Sequence, residues 1–329
     1  KYLLSLRHAF PTHIPVIEEL QSPLSIDDWL VLLESFALQV LKVSNDVDER
    51  ALYSRLRQAL LPFGITITER GARRGRSPTD LVLTLSESKD LAAVSILQAE
   101  ARALGDRLRA VVLTDFERMS ARSRRLKDVL APDAGSAVRV FRHLVVDPET
   151  NKLDPILVTG KVVLADSDNH AQLETGIQRW KGENQASFEW EWKTLDDPRI
   201  LQLVGSGRDW SSRTYVALVT DLFEWGVTRC LVGTRGIFGE GWDALSLNTL
   251  VDLTSVTTRT GVQQIRGRSL RLDPSWPRKV AHNWSVICYS KEFDKGDADI
   301  NRFVTRHTHT WGAVPHSTPG EFAKAAVKK

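Results

Sequence analysis

The sequence is short of most features that place a chain quickly. It holds two cysteines, Cys230 and Cys288. They sit in the apolar runs "RCLVG" and "SVICYS", outside any C-x-x-C spacing, which argues against a disulfide framework or a thiolate metal site. Both read as buried strand residues. Of eight histidines, only His307, His309 and His316 lie near one another, and no cysteine accompanies them, so no metal site is expected. No apolar run reaches membrane-spanning length, and no charged-then-apolar leader precedes a small-residue cleavage site. The expectation is a cytoplasmic chain with no membrane partner. Internal repeats and low-complexity tracts are absent too.

Excess charge is also scarce. The formal net charge is +3 with a pI near 8.9, so placement matters more than the total. The stretch "ERGARRGRSP" sets Arg70, Arg73, Arg74 and Arg76 among glycines, and the run from 253 to 272 carries arginines and no acid. With 42% hydrophobic and 26% charged residues over 329 positions, the chain can bury a large core in one large domain or two ordinary ones. Beginning at Lys1 and ending in "GEFAKAAVKK", it reads as a piece of a longer protein.

Along the chain, residues 1 to 64 read as a small helical segment: "IDDWLVLLESFALQVLKV" and "DERALYSRLRQALLPFG" both show apolar positions at helical spacing. Residues 65 to 85 read as a β-rich linker in which "ITITE" and "DLVLTLS" flank the arginine-rich turn. From Ser86 the rhythm changes. Helices ("SESKDLAAVSILQAEARALG", "ERMSARSRRLKDVL", "SRTYVALVTDLFEWG", "TGVQQIRGRSLRL") alternate with short apolar strands ("RAVVLTD", "ILVTG", "TRCLVGT", "TLVDLTS", "NWSVICYS"). A strand pair is expected around the "DPETN" turn, and "FEWEWKTL" as an exposed strand. This alternation predicts an α/β domain over residues 86 to 293, a mostly parallel sheet with helices on both faces, and a helical tail from 294 to 329. In such sheets the loops after the strand carboxyl ends form the binding crevice.

The loop "GTRGIFGEGWDA", residues 233 to 244, follows one of these strands. Its "GEGWDA" satisfies G-x-G-x-x-A, but Gly239 lies several residues past the strand end, and another strand follows Ala244 where a phosphate-facing helix belongs. A nucleotide-cofactor enzyme of the Rossmann kind is disfavoured on that ground. A complete phosphate-binding loop is also missing. The one Gly-Lys pair, Gly160-Lys161, has Pro155 where the first glycine belongs and Val162 where the metal-binding hydroxyl belongs. Asp48-Glu49 opens an amphipathic helix and reads as a helix start rather than a magnesium-binding pair.

The run "QQIRGRSLR" is more informative. On one helix Gln264, Arg268 and Arg271 fall at i, i+4 and i+7 on a shared face, and Gly267 admits a close neighbour. No acid occurs between Asp252 and Asp273, so these guanidinium groups are expected to lack internal partners and to seek an external anion such as phosphate.

Taken in order, "GTRGIFGEGWD" and "QIRGRSLR" with a strand between them resemble motifs V and VI of superfamily 2 helicases and translocases, in particular the second RecA-like motor domain of bacterial DEAD/DEAH-type and restriction-type helicases. The resemblance covers residues 86 to 293; a segment at about 137 to 210 departs from compact members and reads as an insertion. It implies a P-loop-NTPase-type sheet and one half of an ATP-driven motor. ATP would be the cofactor, with Mg2+ held mainly by an N-terminal RecA-like domain, the partner that carries the phosphate loop this sequence lacks. Arg268 and Arg271 would be arginine fingers, helped by Gln264. Gly241, Asp243 and Gly267 would border the nucleotide, Asp243 either binding the ribose or coupling to a finger. Gly236 and Gly239 would permit the loop's turns, and Glu240 would orient Arg235. The other partner would be a nucleic acid, DNA by preference. Thr234 and Arg235, with Thr114, Thr159 and Gly160, would hold its backbone, and Arg73 and Arg74 are further candidate contacts. Trp242 reads as buried under the loop rather than stacked on a base. The competing reading is a non-catalytic nucleic-acid-binding or scaffold module of the same shape.

Overall fold

The computed structural model describes residues 15, 18, 22 to 117, 131 to 239, 241 to 255, 259 to 293, 295 to 307, 311 to 313 and 322 to 324. They form two units, residues 1 to 81 and 82 to 329. Among the described residues no helix is long and apolar enough to cross a membrane.

The first unit opens with α1 (Ile26–Phe36), started by a capping box in which Ser25 and Asp28 satisfy each other's backbone donors. It runs into a π-helical turn, Ala37–Leu41. Asp46 caps α2 (Val47–Leu60) through the amides of Asp48 and Glu49, as expected of a helix start. Gly64, at φ 73°, ends the following turn because only glycine takes this conformation freely, and a Cβ there would lie 2.5 Å from Gly75 O. A hairpin of β1 (Ile65–Thr68) and β2 (Gly71–Arg74) follows. Ile65 and Ile67 join Leu30, Ala37 and Leu60 in a small core.

Two expectations fail here. Arg73 and Arg74 belong to a strand, not a turn: Thr66 pairs with Arg73 and Ile65 with Arg74. The run after them is α3 (Pro78–Thr84) rather than a strand. Its alternating leucines suit either form, but proline at the first helical position and a serine whose oxygen accepts from the third amide (Asp80 N to Ser77 Oγ, 3.1 Å) decide for helix.

The second unit continues with α4 (Glu87–Leu104), β3 (Ala110–Thr114), α5 (Ala137–Val146), β4 (Ile156–Val158), β5 (Val163–Asp166), α6 (His170–Glu183), β6 (Glu189–Thr194) and β7 (Ile200–Ser206). After these come α7 (Ser212–Glu224), β8 (Cys230–Thr234), α8 (Arg235–Phe238), β9 (Thr249–Asp252), α9 (Arg259–Ser269), β10 (His282–Ser285) and α10 (Ala298–His307), with a short pair β11 (Trp311–Ala313) and β12 (Phe322–Lys324). One sheet of eight strands runs β10-β9-β3-β8-β4-β5-β7-β6. From β10 to β4 every pairing is parallel, and from β4 to β6 every pairing is antiparallel. This is the mostly parallel α/β sheet the sequence predicts.

Alternation along β3 divides the core. Val111 and Leu113 pack with Leu231 and Leu250 under Leu173 and Ile177 of α6 and Leu218 and Leu222 of α7. Ala110 and Val112 pack with Cys230, Val232 and Val251 under Ala93 and Leu97 of α4 and Val140, Phe141 and Leu144 of α5. Strands covered on both faces need apolar side chains at every position, which is why β3, β4, β8 and β9 read as unbroken apolar runs. Across the second of these interfaces the buried Arg139 donates to the buried Asp90 and to Leu85 O (2.9 Å), joining α5 to α4.

Several boundaries differ from expectation. The strand predicted before "DPETN" is α5: its apolar residues recur at helical spacing and Ser136 caps it. Residues 137 to 210 are accordingly not one insertion, since α5 and β4 belong to the central layers and only the antiparallel strands with α6 extend them. β10 stops at Ser285, so Cys288 lies beyond it and is half-buried, whereas Cys230 is a buried strand residue as expected. The segment from 294 contains α10, whose Asp299, Arg306 and His307 are buried. "FEWEWKTL" forms the edge strand β6, with Glu189, Glu191 and Lys193 exposed. The helix expected after Asp115 lies mostly at 118 to 130, outside the described residues.

Asp154 ends the turn before β4 at φ 52°. Burial raises its carboxyl to a pKa of about 6; Arg229 opposes the shift and Asp166 and Asp168 reinforce it. With the folded-state pKa above the unfolded one, the carboxyl destabilises nothing below about pH 4, and its penalty grows as pH rises toward 6 and is constant above. Asp154→Asn also suits the left-handed backbone. It should raise the melting temperature by a few degrees at pH 8 and by clearly less at pH 4; an equal gain at both pH values would show that ionisation of Asp154 is not destabilising.

Candidate functional site

Because β10, β9, β3, β8 and β4 are parallel, their carboxyl ends share one edge of the sheet. Register sets Thr114 beside Thr234 and Val158 beside Gly233, so Thr114, Thr234 and Thr159 line up along it. Their hydroxyls differ in availability. Thr114 is buried and donates to Phe116 O (3.1 Å). Thr159 is buried and its Oγ1 accepts from Lys161 N (3.2 Å) and Val162 N (3.1 Å), closing its own turn. Thr234 is half-buried and starts α8 without a side-chain capping bond, and Gly160 is exposed with open space above it. Thr114 and Thr159 therefore build the edge, while Thr234 and Gly160 present atoms to solvent.

The glycine-rich loop rises from this edge on an aromatic foundation. Phe238 and Trp242 are buried and meet edge to face, 4.7 Å between ring centroids. Trp242 donates from Nε1 to Thr220 Oγ1 at 2.9 Å, so it is buried beneath the loop, as expected, and its polar atom is satisfied. Two glycines fit for steric reasons. At Gly233 a Cβ would meet Val158 O at 2.5 Å and Phe238 Cε2 at 2.7 Å; at Gly239 it would meet Arg235 O at 2.4 Å. Gly241 needs its freedom for φ 83°, with open space beside it. Gly236 needs none: it lies in α8, and its nearest neighbour would be Thr234 Oγ1 at 3.8 Å, which corrects its expected part in the turn. Glu240 lies outside the described residues.

The arginine run meets this loop from the next element. Arg268 Nη2 donates to Gly239 O, and Arg271 pairs with Asp243. The expectation of guanidinium groups without internal partners is thus corrected: the partners come from a different element, which local spacing cannot reveal. Of the two roles open to Asp243, coupling to an arginine is the one the structure displays. The single helical face is corrected as well, because α9 ends at Ser269 and Arg271 lies in the turn beyond it, its amide bonded to Arg268 O at 3.2 Å. Gln264 and Gly267 are exposed on α9.

Some donor capacity is left over. The Nε atoms of Arg268 and Arg235 are buried and, among the described residues, have no hydrogen-bond partner. Burial lowers the pKa of Arg268, Arg271 lowers it further and Asp243 opposes, yet a guanidinium stays charged at any working pH. The half-exposed Arg268 guanidinium beside a half-exposed Arg271–Asp243 pair suits an anion with several oxygens.

Sequence reasoning missed the supports around these residues. Asp115, after β3, accepts from Ser255 N (2.8 Å) and Oγ (2.5 Å), linking the loops after β3 and β9. Arg266 donates to Ser285 Oγ at 2.7 Å, fastening the rear of α9 to β10. Position after a strand marks Asp115 in the sequence; nothing marks its partner. Arg73 and Arg74 belong to the first unit and are not among the residues brought together here.

No protein-family model matches the chain, and no curated protein matches it. Among solved structures, the crystal structure of the Pyrococcus furiosus Hef helicase domain aligns with 84% of this chain at 13% identity and a TM-score of 0.32, and this chain covers 38% of that chain's length.

The glycines give a direct check on the loop. Gly239→Ala should cost about 1–3 kcal/mol of unfolding free energy, because the backbone must shift away from Arg235 O. Gly236→Ala, in a helical turn with room, should be neutral or stabilising by up to about 1 kcal/mol. Denaturant melts of both variants decide; equal effects would mean that the close approach at Gly239 does not constrain the loop.

Proposed function

We propose that this chain is the C-terminal motor half of an ATP-dependent superfamily 2 helicase or translocase acting on nucleic acid, DNA by preference. The observation that carries the reading is the junction of its two motifs. Arg268 on Gly239 O and Arg271 on Asp243 join "GEGWD" and "RGRSLR" into one surface, beside the carboxyl edge where α/β sheets bind ligands.

In this reading ATP is shared with an N-terminal RecA-like domain, which holds most of the Mg2+ coordination. The half-exposed guanidinium groups of Arg268 and Arg271 fit a polyphosphate, and they stabilise charge that develops as the terminal phosphoryl group moves to water. Gln264 lies one turn before Arg268 and contributes a neutral donor. Asp243 holds Arg271 in place, and the open faces of Gly241 and Gly267 let a nucleotide approach the backbone. Thr234, Arg235 and Gly160 contact the phosphates of one strand; Thr159 closes the turn that carries Gly160, Thr114 fixes the neighbouring loop after β3, and Arg73 and Arg74 of the first unit are separate candidate contacts. Backbone contacts of this kind are blind to sequence and weaken with salt.

Titration of a labelled single strand and a labelled duplex at several salt concentrations tests the proposal. Binding should weaken steeply with salt, and Arg235→Ala should reduce the slope of log K against log salt by about 1. Absence of binding at low salt, or an unchanged slope in the variant, would count against a nucleic-acid grip at this edge. The isolated chain should not turn over ATP, since its sequence contains no phosphate loop. Turnover that copurifies with the chain and vanishes in Arg268→Ala would overturn the assignment of a half site.

A further inference from the structure

The last described helix is fastened at both ends by buried charge. At the start of α10, Asp299 Oδ2 accepts from Lys89 Nζ of α4 at 3.3 Å and from Cys288 N at 2.9 Å, and Oδ1 accepts from Arg302 at 2.9 Å. At its end, Arg306 Nη1 lies 3.4 Å from Asp252 Oδ2, the last residue of β9, with side-chain exposures of 4% and 10%. Asp252 has a second task. Its Oδ1 accepts from Thr254 N (2.9 Å) and Thr254 Oγ1 (2.6 Å), fixing the segment that leaves β9 toward α9.

Buried ion pairs contribute little net stability, because desolvation offsets most of the attraction; their usual effect is to select one geometry. The geometry selected here concerns α9, which packs on β9, β10 and α10. Arg266 and Arg268 are two residues apart, roughly 200° around the helix. Arg266, on the rear, is held by Ser285 Oγ, and Arg268, on the front, reaches Gly239 O. Any rotation that releases the rear turns the front away from the loop.

We propose that α10 is a clamp on α9 and that Arg306 is a positioning residue for Arg268, acting through Asp252. The inference rests on the reading of Arg268 as a polyphosphate-facing residue only for its functional consequence; the clamp itself is a statement about α9. Arg306 touches no proposed ligand. It neutralises Asp252, whose carboxylate then holds both the β9-to-α9 segment and α10 in one arrangement.

Hydrogen exchange on the full chain tests the clamp. In Arg306→Met, amides of α9 should exchange at least tenfold faster than in wild type, while those of β3 and α5 keep their wild-type rates. Arg306→Lys, which keeps the charge and loses the planar fork, should give a smaller change confined to the same helix, and it serves if the methionine variant fails to fold. Equal acceleration in α9, β3 and α5, or none in α9, would overturn the clamp. The functional arm uses inorganic tripolyphosphate as probe. Arg306→Met and Arg268→Ala should each weaken its binding about tenfold, and the double variant no further, because both act at one point. Additive losses would overturn the positioning role. Failure of wild type to bind the probe, with α9 still selectively loosened, would instead remove the polyphosphate reading and leave the clamp.

Discussion

Burial of β3, β8 and β9 on both faces is the constraint on which the rest of the second unit depends. A strand with no solvent face can lie only inside a sheet covered by helices on both sides, and α4 and α5 on one side and α6 and α7 on the other supply that cover. Parallel pairing then forces the carboxyl ends of five strands to one edge. Everything of chemical interest follows from this: the threonines at 114, 159 and 234, the glycine loop and the carboxylates of Asp115 and Asp252 are neighbours because their strands are parallel.

At that edge the dominant theme is positive charge held by partners from other elements. Arg268 and Arg271 lean on the loop after β8, Arg266 on β10, and Arg306 pairs with the end of β9. Asp252 faces both Arg266 and Arg306, and the pKa of Arg266 is lowered by burial and by Arg306, with Asp252 opposing. Burial lowers the pKa of His307 beside them; a bond to Phe303 O works against that, while Arg266 and Arg306 add to it. Such a cluster is stable only if each cation keeps its place, which makes the edge a set of oriented donors rather than a diffuse basic patch.

Much of this was legible in the residues. Apolar positions at helical spacing marked α1, α2 and α4, and unbroken apolar runs marked β3, β8 and β9. The loop and the arginine run stood out in the sequence, and the structure brings them into contact. Errors arose where local pattern fits two structures. "DLVLTLS" alternates like a strand yet begins like a helix, and "AVRVFRHLVV" hid its helical spacing behind β-branched residues. The arginines read as unpartnered because no acid lies between Asp252 and Asp273 in the sequence, whereas Asp243 stands in another element.

The sequence by itself determined the class of fold, the order of most elements and the places of the glycine loop and the arginine run, since hydrophobic periodicity and glycine placement are local and survive in one dimension. Tertiary structure alone decided which hydroxyls face inward, which carboxylate meets which arginine, and that the helix expected after 294 is fastened to Lys89 and Asp252. Those pairings join residues 28 to 210 positions apart, and only the folded sheet brings such residues within hydrogen-bond reach.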